Sequence, residues 1–346
     1  MRTVDVKLNN PYRVLIGEGI FERLGESVKN ILRANKVLIV SDSNVAPLYL
    51  ERTQNALLNV GYEVYNFVFE AGEQSKTPKT YLDIIDSLGK NGFKRTDAVV
   101  ALGGGVVGDI AGFAAATYMR GIDVVQVPTT LLAMLDSSVG GKTGVDLAYG
   151  KNLLGAFHQP RLVIADIDLL GSMPHKEWCN GIGEGIKYAC LAGGEIFDML
   201  DCGLNEAGLE DFIALCVEYK ADVVAKDEKE GGLRKLLNLG HTVGHAVEKL
   251  SDFKIAHGVA VAHGIYVMAN AAKKHGELSD SEYDSIVNML KYYLGNDYEF
   301  DGDVSHAIAN DKKAEGKNSI SFVAIEGIGK CSIRTVDIDE FNSYIG

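Results

Sequence analysis

Two histidines, His241 and His245, stand four residues apart in a segment with a helical pattern. In a helix this spacing places both imidazoles on one face, where they can bind the same metal ion. His257 and His263 follow, and Glu184 offers a carboxylate oxygen from earlier in the chain. A histidine and carboxylate set with open coordination positions suits zinc acting as a Lewis acid. Each side chain alone could be a hydrogen-bonded or surface residue, and their joint presence favours the metal hypothesis.

A glycine-rich segment, residues 103–109, contains the pattern G-x-G-x-x-G between a predicted strand and a predicted helix. Glycines permit close backbone approach, and the N-terminus of a helix favours an anion, so the segment indicates a phosphate or dinucleotide site. A tight strand-to-helix turn is the alternative. Asp42, which ends an earlier predicted strand, is a candidate ribose contact. Thr129 and Thr130 follow another strand, where their hydroxyls could cap a helix or contact a ligand.

A second glycine-rich loop runs over residues 136–144 and carries Lys142. It departs from the nucleotide P-loop pattern because the first glycine of that pattern is absent, so a P-loop is disfavoured. Lys142 remains a candidate phosphate contact, and Lys151 and Asn152 form a second such pair. Further cations of the second half are solvated surface charges or parts of a pocket for a doubly anionic small substrate: Lys187, Lys220, Arg234, Lys312 and Lys313.

Short β-branched runs alternate with amphipathic segments in the first half of the chain. This alternation predicts a parallel sheet covered by helices. The predicted strands are 37–40, 62–69, 98–102, 124–127 and 162–165, and one predicted helix is 78–91.

Helical patterns dominate after Pro174, and a late pair of alternating runs predicts a hairpin. The predicted helices are 175–192, 208–226, 240–250, 257–275 and 280–294, and the hairpin strands are 319–325 and 329–335. We therefore expect an α/β fold of two domains. Residues 1–170 would form a Rossmann-like, parallel-sheet domain, and residues 171–346 a mostly helical domain.

Composition excludes several classes of protein. The chain has 346 residues, 47% of them hydrophobic and 23% charged, which is typical of a globular protein. No apolar run reaches the roughly 20 residues of a membrane span. The net charge of −13 argues against binding to nucleic acid or anionic lipid. Five cysteines without a C-x-x-C pair, and an N-terminus without an apolar signal segment, predict a cytoplasmic protein.

Several ordered motifs together resemble the 3-dehydroquinate synthases of the shikimate pathway over essentially the whole chain. They lie at residues 72–76, 103–109, 118–121, 128–132, 136–144, 151–157, 231–234 and 237–248. The resemblance implies that residues 1–170 are an NAD domain and that residues 171–346 are a metal- and substrate-binding domain with Zn²⁺ or Co²⁺. It also implies a homodimer. The implied reaction converts 3-deoxy-D-arabino-heptulosonate 7-phosphate to 3-dehydroquinate and phosphate. It proceeds by transient oxidation, phosphate elimination, re-reduction, ring opening and an intramolecular aldol step.

The resemblance also assigns roles by matching position. The implied metal ligands are Glu184, His241 and His257, whereas His245 passes to the substrate near the leaving phosphate. The implied NAD contacts are Asp42, Glu73, Lys76, Gly104, Gly105, Val106, Asp109, Thr129, Thr130, Lys142, Lys151 and Ser172. The implied substrate contacts are Asp136, Lys142, Asn152, Lys187, Lys220, Arg234, Asn238, His245 and Lys312 or Lys313. Arg120 would reach the phosphate bound by a neighbouring subunit.

The chain departs from the family pattern at a few positions without losing an implied ligand. Ser172 replaces the usual threonine, Gly183 and Gly185 flank Glu184, and Val259 replaces a glutamate. His263 is an additional histidine. Three alternatives remain: a sugar-phosphate cyclase that makes an inosose or valiolone, a metal-dependent polyol dehydrogenase, and an NAD-sensing binding module. Lys142, Lys220, Arg234 and Asn238 favour a carboxylated substrate.

Overall fold

A computed structural model describes residues 1–305, 307–308 and 318–346. The chain forms two compact units, residues 1–173 with 213–228, and residues 174–212 with 229–346. The sequence pattern placed 213–228 in the second half. These residues join the first unit instead, where Lys220 binds Asp136. No helix among the described residues is both long and apolar enough to cross a membrane.

The first unit is built on a seven-stranded sheet of order β1-β2-β9-β6-β5-β3-β4, in which only β1 runs antiparallel to its neighbour. Two antiparallel hairpins, β7–β8 and β10–β11, complete the described strands. The strands are β1 Arg2–Val6, β2 Tyr12–Gly17, β3 Lys36–Asp42, β4 Glu63–Phe69, β5 Ala98–Gly103, β6 Asp123–Pro128, β7 Lys142–Leu147, β8 Gly150–Phe157, β9 Leu162–Asp166, β10 Ser319–Gly327 and β11 Lys330–Asp337.

Helices cover the sheet and make up most of the second unit. The described α-helices are α1 Leu24–Lys29, α2 Ala46–Asn59, α3 Pro78–Lys90, α4 Gly105–Thr117, α5 His175–Ala192, α6 Gly194–Asp201, α7 Leu209–Lys226, α8 His241–Leu250, α9 His257–Lys274, α10 Asp280–Leu294 and α11 Ile338–Ile345. Local capping helps to set these bounds. Thr77 accepts a hydrogen bond from the backbone of Thr80 at the start of α3, and Ser279 and Glu282 form a capping box on α10.

The order of strands places the candidate ligand residues of the first unit at one edge of the sheet. β5 is buried along its whole length, as expected for a central parallel strand. Its carboxyl end leads into the glycine turn, while the neighbouring strands β3 and β6 end at Asp42 and Pro128. Ligands of open parallel sheets bind outside the carboxyl ends of the strands. The glycine turn, Asp42 and the two threonines therefore lie where a ligand is expected.

Close backbone contacts hold α8 and α9 together in the second unit. A Cβ atom added to Gly264 would lie 1.9 Å from the carbonyl oxygen of Gly240, and one added to Gly244 would lie 3.1 Å from that of Ala260. Such glycines let two helices approach more closely than larger residues permit. The approach brings together the start of α8, which carries His241, and the start of α9, which carries His257.

The α/β fold class is confirmed, and the predicted strands and helices form within one or two residues of their expected bounds. The sequence analysis missed the N-terminal pair β1–β2 and the hairpin β7–β8. The expected glycine-rich loop does lead up to Lys142, but β7 begins at that lysine.

Candidate functional site

The turn after β5 has the geometry of an anion cradle. Gly104 precedes α4, whose first turn contains Gly105 and Val106. Side chains would crowd this turn, because a Cβ atom on Gly104 would lie 3.2 Å from Thr130 Cγ2 and one on Gly105 would lie 3.1 Å from Ser137 Oγ. The backbone N–H groups at the start of a helix attract a phosphate. The bare turn therefore fits the diphosphate of a dinucleotide.

The structure gives different roles to Thr129 and Thr130, whose roles the sequence did not decide. Thr130 Oγ1 accepts a hydrogen bond from Ala133 N at 3.3 Å, so Thr130 acts as a cap. Thr129 is buried, and its hydroxyl has no hydrogen-bond partner among the residues that the structure describes. An unpartnered buried hydroxyl is costly and calls for a ligand or water. Thr129 is thus the stronger candidate of the pair for a ligand contact.

Lys76 links the glycine-turn helix to the β7–β8 hairpin. Its ammonium lies 2.7 Å from Asp109 Oδ2 and donates a hydrogen bond of 2.6 Å to Asn152 Oδ1. Burial raises the pKa of Asp109, and the Lys76 charge offsets this in part. Burial lowers the pKa of Lys76, but the carboxylates of Asp109 and Glu73 raise it by more. Three residues named from the resemblance, Lys76, Asp109 and Asn152, therefore form one connected group.

Other expected NAD contacts of the first unit lie in separate local networks. Asp42 Oδ1 accepts hydrogen bonds from the backbone N–H groups of residues 44 and 45. Lys151 Nζ lies 3.5 Å from Glu73 Oε1. Ser172, at the residue where the family pattern has threonine, accepts a hydrogen bond from the Tyr49 hydroxyl at 2.7 Å.

Asp136 and Lys220 form a charged pair within the first unit. Lys220 Nζ lies 3.0 Å from Asp136 Oδ1 and also donates a hydrogen bond of 2.8 Å to the Asp136 carbonyl oxygen. Lys220 is buried, so a solvated surface role for it is excluded. Lys142 is exposed at the start of β7.

Two candidate residues of the first unit have strained backbones. Arg120 has a φ of 67° and Asn152 a φ of 56°, both in the left-handed region that side chains disfavour. Such strain costs of order 1–3 kcal/mol and clusters at functional sites. Arg120 follows Met119, with φ of 50°, and precedes Gly121, so the whole corner adopts an unusual path. This corner sets the direction of the Arg120 side chain.

Three side chains of the second unit form a compact group of potential metal ligands. Glu184 Oε1 lies 3.7 Å from His241 Nε2 and 3.2 Å from His257 Nε2. One oxygen and two nitrogen donors thus fall within 4.8 Å of one another, and Glu184 is only 1% exposed. The three come from α5, α8 and α9. The donor types and their convergence fit a divalent cation such as Zn²⁺ or Co²⁺ with open positions.

In both His241 and His257, the nitrogen that faces away from Glu184 has its own partner. His241 Nδ1 lies 3.1 Å from the Leu239 carbonyl oxygen, and His257 Nδ1 lies 3.4 Å from Glu248 Oε2. Burial lowers the pKa of His241 to about 3. Burial also lowers that of His257, but Glu184 and Glu248 outweigh it and raise the pKa to about 10 in the metal-free protein. Because Nδ1 of each ring contacts one of these partners, Nε2 of each ring faces Glu184 in the potential metal site.

The remaining candidates of the second unit are buried or bonded nearby. Lys187 is 2% exposed, with Nζ 2.5 Å from Glu184 Oε2. Arg234 is also buried, although the sequence gave surface exposure as the simpler interpretation. Asn238 donates a hydrogen bond to Glu230 Oε1 at 3.1 Å. His245 Nδ1 lies 2.9 Å from Glu248 Oε2.

Two sequence expectations have other outcomes. Lys312 and Lys313 lie outside the described residues. His263, a possible ligand by spacing alone, faces the Tyr298 carbonyl oxygen, 2.9 Å from its Nδ1, and belongs to neither of the potential metal groups among the residues with described positions. Sequence analysis assigned no role to Glu248, although the segment H-x-x-x-H-x-x-E placed it one turn from His245.

Both halves of the chain match models of known protein families. The sequence model of the 3-dehydroquinate synthase N-terminal domain matches residues 66–180, and that of the C-terminal domain matches residues 181–314. The chain is 38% identical to the 3-dehydroquinate synthase of Clostridium acetobutylicum, with 100% of this chain and 99% of the relative covered.

Solved structures of related cyclases share the fold. A 2-deoxy-scyllo-inosose synthase complexed with carbaglucose-6-phosphate, NAD⁺ and Co²⁺ has a TM-score of 0.88 at 26% identity, covering 99% of each chain. The 2-epi-5-epi-valiolone synthase ValA of Streptomyces hygroscopicus, with NAD⁺ and Zn²⁺ bound, has a TM-score of 0.85 at 25% identity, covering 99% of this chain and 98% of that one. Because both halves of the chain match one family and the sequence similarity runs from end to end, the chain belongs to the 3-dehydroquinate synthase family.

Proposed function

We propose that this chain converts 3-deoxy-D-arabino-heptulosonate 7-phosphate to 3-dehydroquinate and phosphate, the shikimate-pathway reaction of its family. The observation that carries the proposal is the buried group of Glu184, His241 and His257, in a chain that also has an anion cradle at Gly104. A dehydrogenase and a cyclase could both use these features. The family membership selects the cyclase.

When bound, NAD supplies a transient hydride acceptor and the divalent metal ion supplies a Lewis acid for a substrate oxygen. Glu184, His241 and His257 hold the metal. NAD is held by the turn at Gly104, Gly105 and Val106 and by the other expected contacts: Asp42, Glu73, Lys76, Asp109, Thr129, Thr130, Lys142, Lys151 and Ser172.

The chain's own side chains bind and orient the anionic substrate. The substrate role falls to Asp136, Lys142, Asn152 and Lys220 in the first unit, and to Lys187, Arg234, Asn238 and His245 in the second. Lysine and arginine pair with carboxylate and phosphate through charge-assisted hydrogen bonds. Local cations are needed because the protein carries a net charge of −13 and repels anions at long range.

His245 contacts the substrate near the leaving phosphate. Its Nδ1 faces Glu248, so Nε2 is the nitrogen available to the substrate. The side chain is 59% exposed, in contrast to the buried Glu184. Glu248 holds Nδ1 in place while the side chain stays accessible, which suits an imidazole that must contact a substrate through Nε2.

The test is phosphate release from the heptulosonate phosphate with catalytic NAD, with and without a chelator, while absorbance at 340 nm is followed. We expect phosphate release that is lost on chelation, with no net NADH. Steady NADH production from simple polyols without phosphate release would contradict the proposal and indicate a dehydrogenase. With neither signal, activity on glucose 6-phosphate or sedoheptulose 7-phosphate would instead assign the chain to another cyclase reaction.

We also propose that the protein is a homodimer in which Arg120 serves the site of the partner subunit. The strained corner at Arg120 directs this side chain, and large apolar side chains of the same unit are exposed. They are Met119 at 49%, Tyr149 at 92%, Leu153 at 61% and Phe157 at 46%. Exposed apolar side chains that lie together are typical of an interaction surface, and three of these four belong to the β7–β8 hairpin.

Complementation tests this arrangement. Arg120→Ala and His257→Asn are each expected to be inactive as homodimers. If Arg120 acts across the dimer, subunit exchange between them restores one complete site per heterodimer, which is about one quarter of wild-type activity after equal mixing. No recovery, with exchange verified by differently tagged subunits, would place Arg120 in the site of its own chain.

We also propose a cytoplasmic location, which the state of the thiols supports. All five cysteines are free, and Cys179, Cys190 and Cys216 are buried in the reduced form. A reducing compartment preserves this state. Cell fractionation should recover the protein with cytoplasmic markers.

A further inference from the structure

Glu248 on α8 is a buried carboxylate that belongs to neither the metal ligands nor the substrate contacts proposed above. It is 2% exposed, and a single oxygen, Oε2, lies 2.9 Å from His245 Nδ1 and 3.4 Å from His257 Nδ1. A buried carboxylate lowers the stability of the folded protein unless charged or polar partners compensate for the lost hydration. Its position between two functional imidazoles identifies those partners.

Helix geometry explains how one carboxylate reaches both rings. His245 and Glu248 are three residues apart on α8 and share a face. His257 is the first residue of α9, and Gly244 allows α9 to lie close to α8. The ring of His257 is stacked on that of His245, with centroids 5.9 Å apart and planes at 27°. Both Nδ1 atoms consequently face Glu248.

The contact with Glu248 determines which nitrogen of each ring is free to bind a metal ion or a substrate. A carboxylate at Nδ1 accepts the N–H there, so the lone pair resides on Nε2. In His257, Nε2 is the atom that lies 3.2 Å from Glu184 Oε1 in the proposed metal group. In His245, Nε2 is the atom left for the substrate. A negative charge behind an imidazole also makes it a stronger metal ligand.

We propose that Glu248 is a positioning residue that fixes the tautomer and orientation of His257 for the metal ion and of His245 for the substrate. The proposal rests on the metal-binding role given above to His257. It adds a coupling between the two histidines, since movement of the carboxylate toward one ring weakens its contact with the other.

Metal binding without substrate tests the proposal. Co²⁺ is titrated into wild-type protein and Glu248→Gln, with the dissociation constant measured by chelator competition and the ligand field by visible absorption. Glutamine keeps the shape but removes the charge, so we expect roughly 10–100-fold weaker binding and a shifted Co²⁺ spectrum. Glu248→Asp, which keeps the charge but retracts it, should shift both in the same direction and serves if the glutamine variant does not fold.

The matched control is Glu277→Gln in the same unit. Glu277 also accepts two hydrogen bonds, from Arg334 and Tyr344, and neither donor is a proposed metal ligand or substrate contact. This variant should lose stability while its Co²⁺ affinity and spectrum stay at wild-type values.

Three outcomes would overturn the inference. Unchanged affinity and spectrum in both Glu248 variants would show a purely structural carboxylate. A second bound Co²⁺ in wild type that disappears in Glu248→Gln would make Glu248 a ligand rather than a positioning residue, since His245, Glu248 and His257 also converge. Wild-type binding that is insensitive to Glu184→Gln would refute the metal centre itself, a failure distinct from that of the inference alone.

Discussion

Gly183 of α5 lies directly against Gly258 of α9. A Cβ atom on Gly183 would lie 2.1 Å from the Gly258 carbonyl oxygen, and one on Gly258 would lie 1.8 Å from that of Asn180. The two backbones therefore touch with no room for a methyl group. Glu184 follows Gly183 in the sequence, and His257 precedes Gly258. The packing of the two glycines therefore sets the distance between two proposed metal ligands.

Gly183→Ala should therefore damage both stability and metal binding. Forcing a methyl group into a filled contact costs about 1–3 kcal/mol. Thermal unfolding and Co²⁺ titration measure the two effects. Gly89→Ala on α3 is the control, because nothing lies within 4 Å of an added Cβ there and alanine favours the helix. Equal behaviour of the two variants would contradict the prediction.

Metal binding should release a proton from His257. Glu184 and Glu248 raise the pKa of this residue to about 10 in the metal-free protein, so it is protonated at pH 7 and a metal must displace that proton. His241, whose pKa burial lowers to about 3, is already neutral and releases none. Metal affinity consequently rises with pH. Adding Zn²⁺ to weakly buffered protein at pH 7 should release close to one proton, and release should fall in His257→Asn.

Stability should decline in mild acid because of His263. Burial lowers the pKa of this residue, despite its hydrogen bond to Tyr298 and the nearby Asp301. The unfolded chain then binds a proton, near the ordinary histidine pKa of about 6.5, that the folded chain resists. The free energy of unfolding thus falls below that pH, by at most about 1.4 kcal/mol per pH unit for one group. Urea unfolding at pH 7.5 and 5.5 should show a smaller loss in His263→Asn, whereas equal losses would contradict this.

Thr129→Val should separate ligand binding from stability. The Thr129 hydroxyl has no partner among the described residues, so its removal breaks no hydrogen bond within them. The free energy of unfolding should stay constant or rise, while the loss of one hydrogen bond to NAD weakens NAD binding by about 3–10-fold. Fluorescence titration with NAD and thermal unfolding measure the two quantities. Thr130→Val, which removes the bond to Ala133, should instead lower stability.

Lys220→Met should lower kcat/KM for phosphate release by on the order of 100-fold. Lys220 holds both the carboxylate and the carbonyl of Asp136, and a misplaced contact residue can cost this much. Lys226→Met, at the exposed end of the same helix, is the matched control and should retain near wild-type activity. A similar loss in both variants would indicate a general effect of charge.

The sequence predicted those parts of the fold that depend on local pattern. The buried run of β5 and the periodicity of α5 each identify an element without reference to its neighbours. The hairpin β7–β8 escaped prediction because its glycines, among them Gly144 and Gly155, resemble a loop in sequence. They are needed instead where the two strands cross closely, since a Cβ atom on Gly155 would lie 2.2 Å from the Thr143 carbonyl oxygen.

The sequence predicted the residue types of the candidate site better than the contacts between those residues. Glu184, His241 and His257 came from spacing and from the family motif. The shared oxygen of Glu248 could not be predicted, because it depends on how closely α8 and α9 pack. The same holds for Lys76, whose contacts with Asp109 and Asn152 join segments far apart in the chain.

The assignment of residues 213–228 to the first unit has a consequence for synthesis of the protein. A nascent chain that has reached residue 173 contains the whole seven-stranded sheet but lacks Lys220, so Asp136 is without the ammonium that binds it in the finished protein. The unit becomes complete only after the ribosome has passed residue 228. A chain that ends at residue 173 would therefore have the whole sheet but not the Asp136–Lys220 pair. The native first unit can form only after residues 213–228 have also been synthesised.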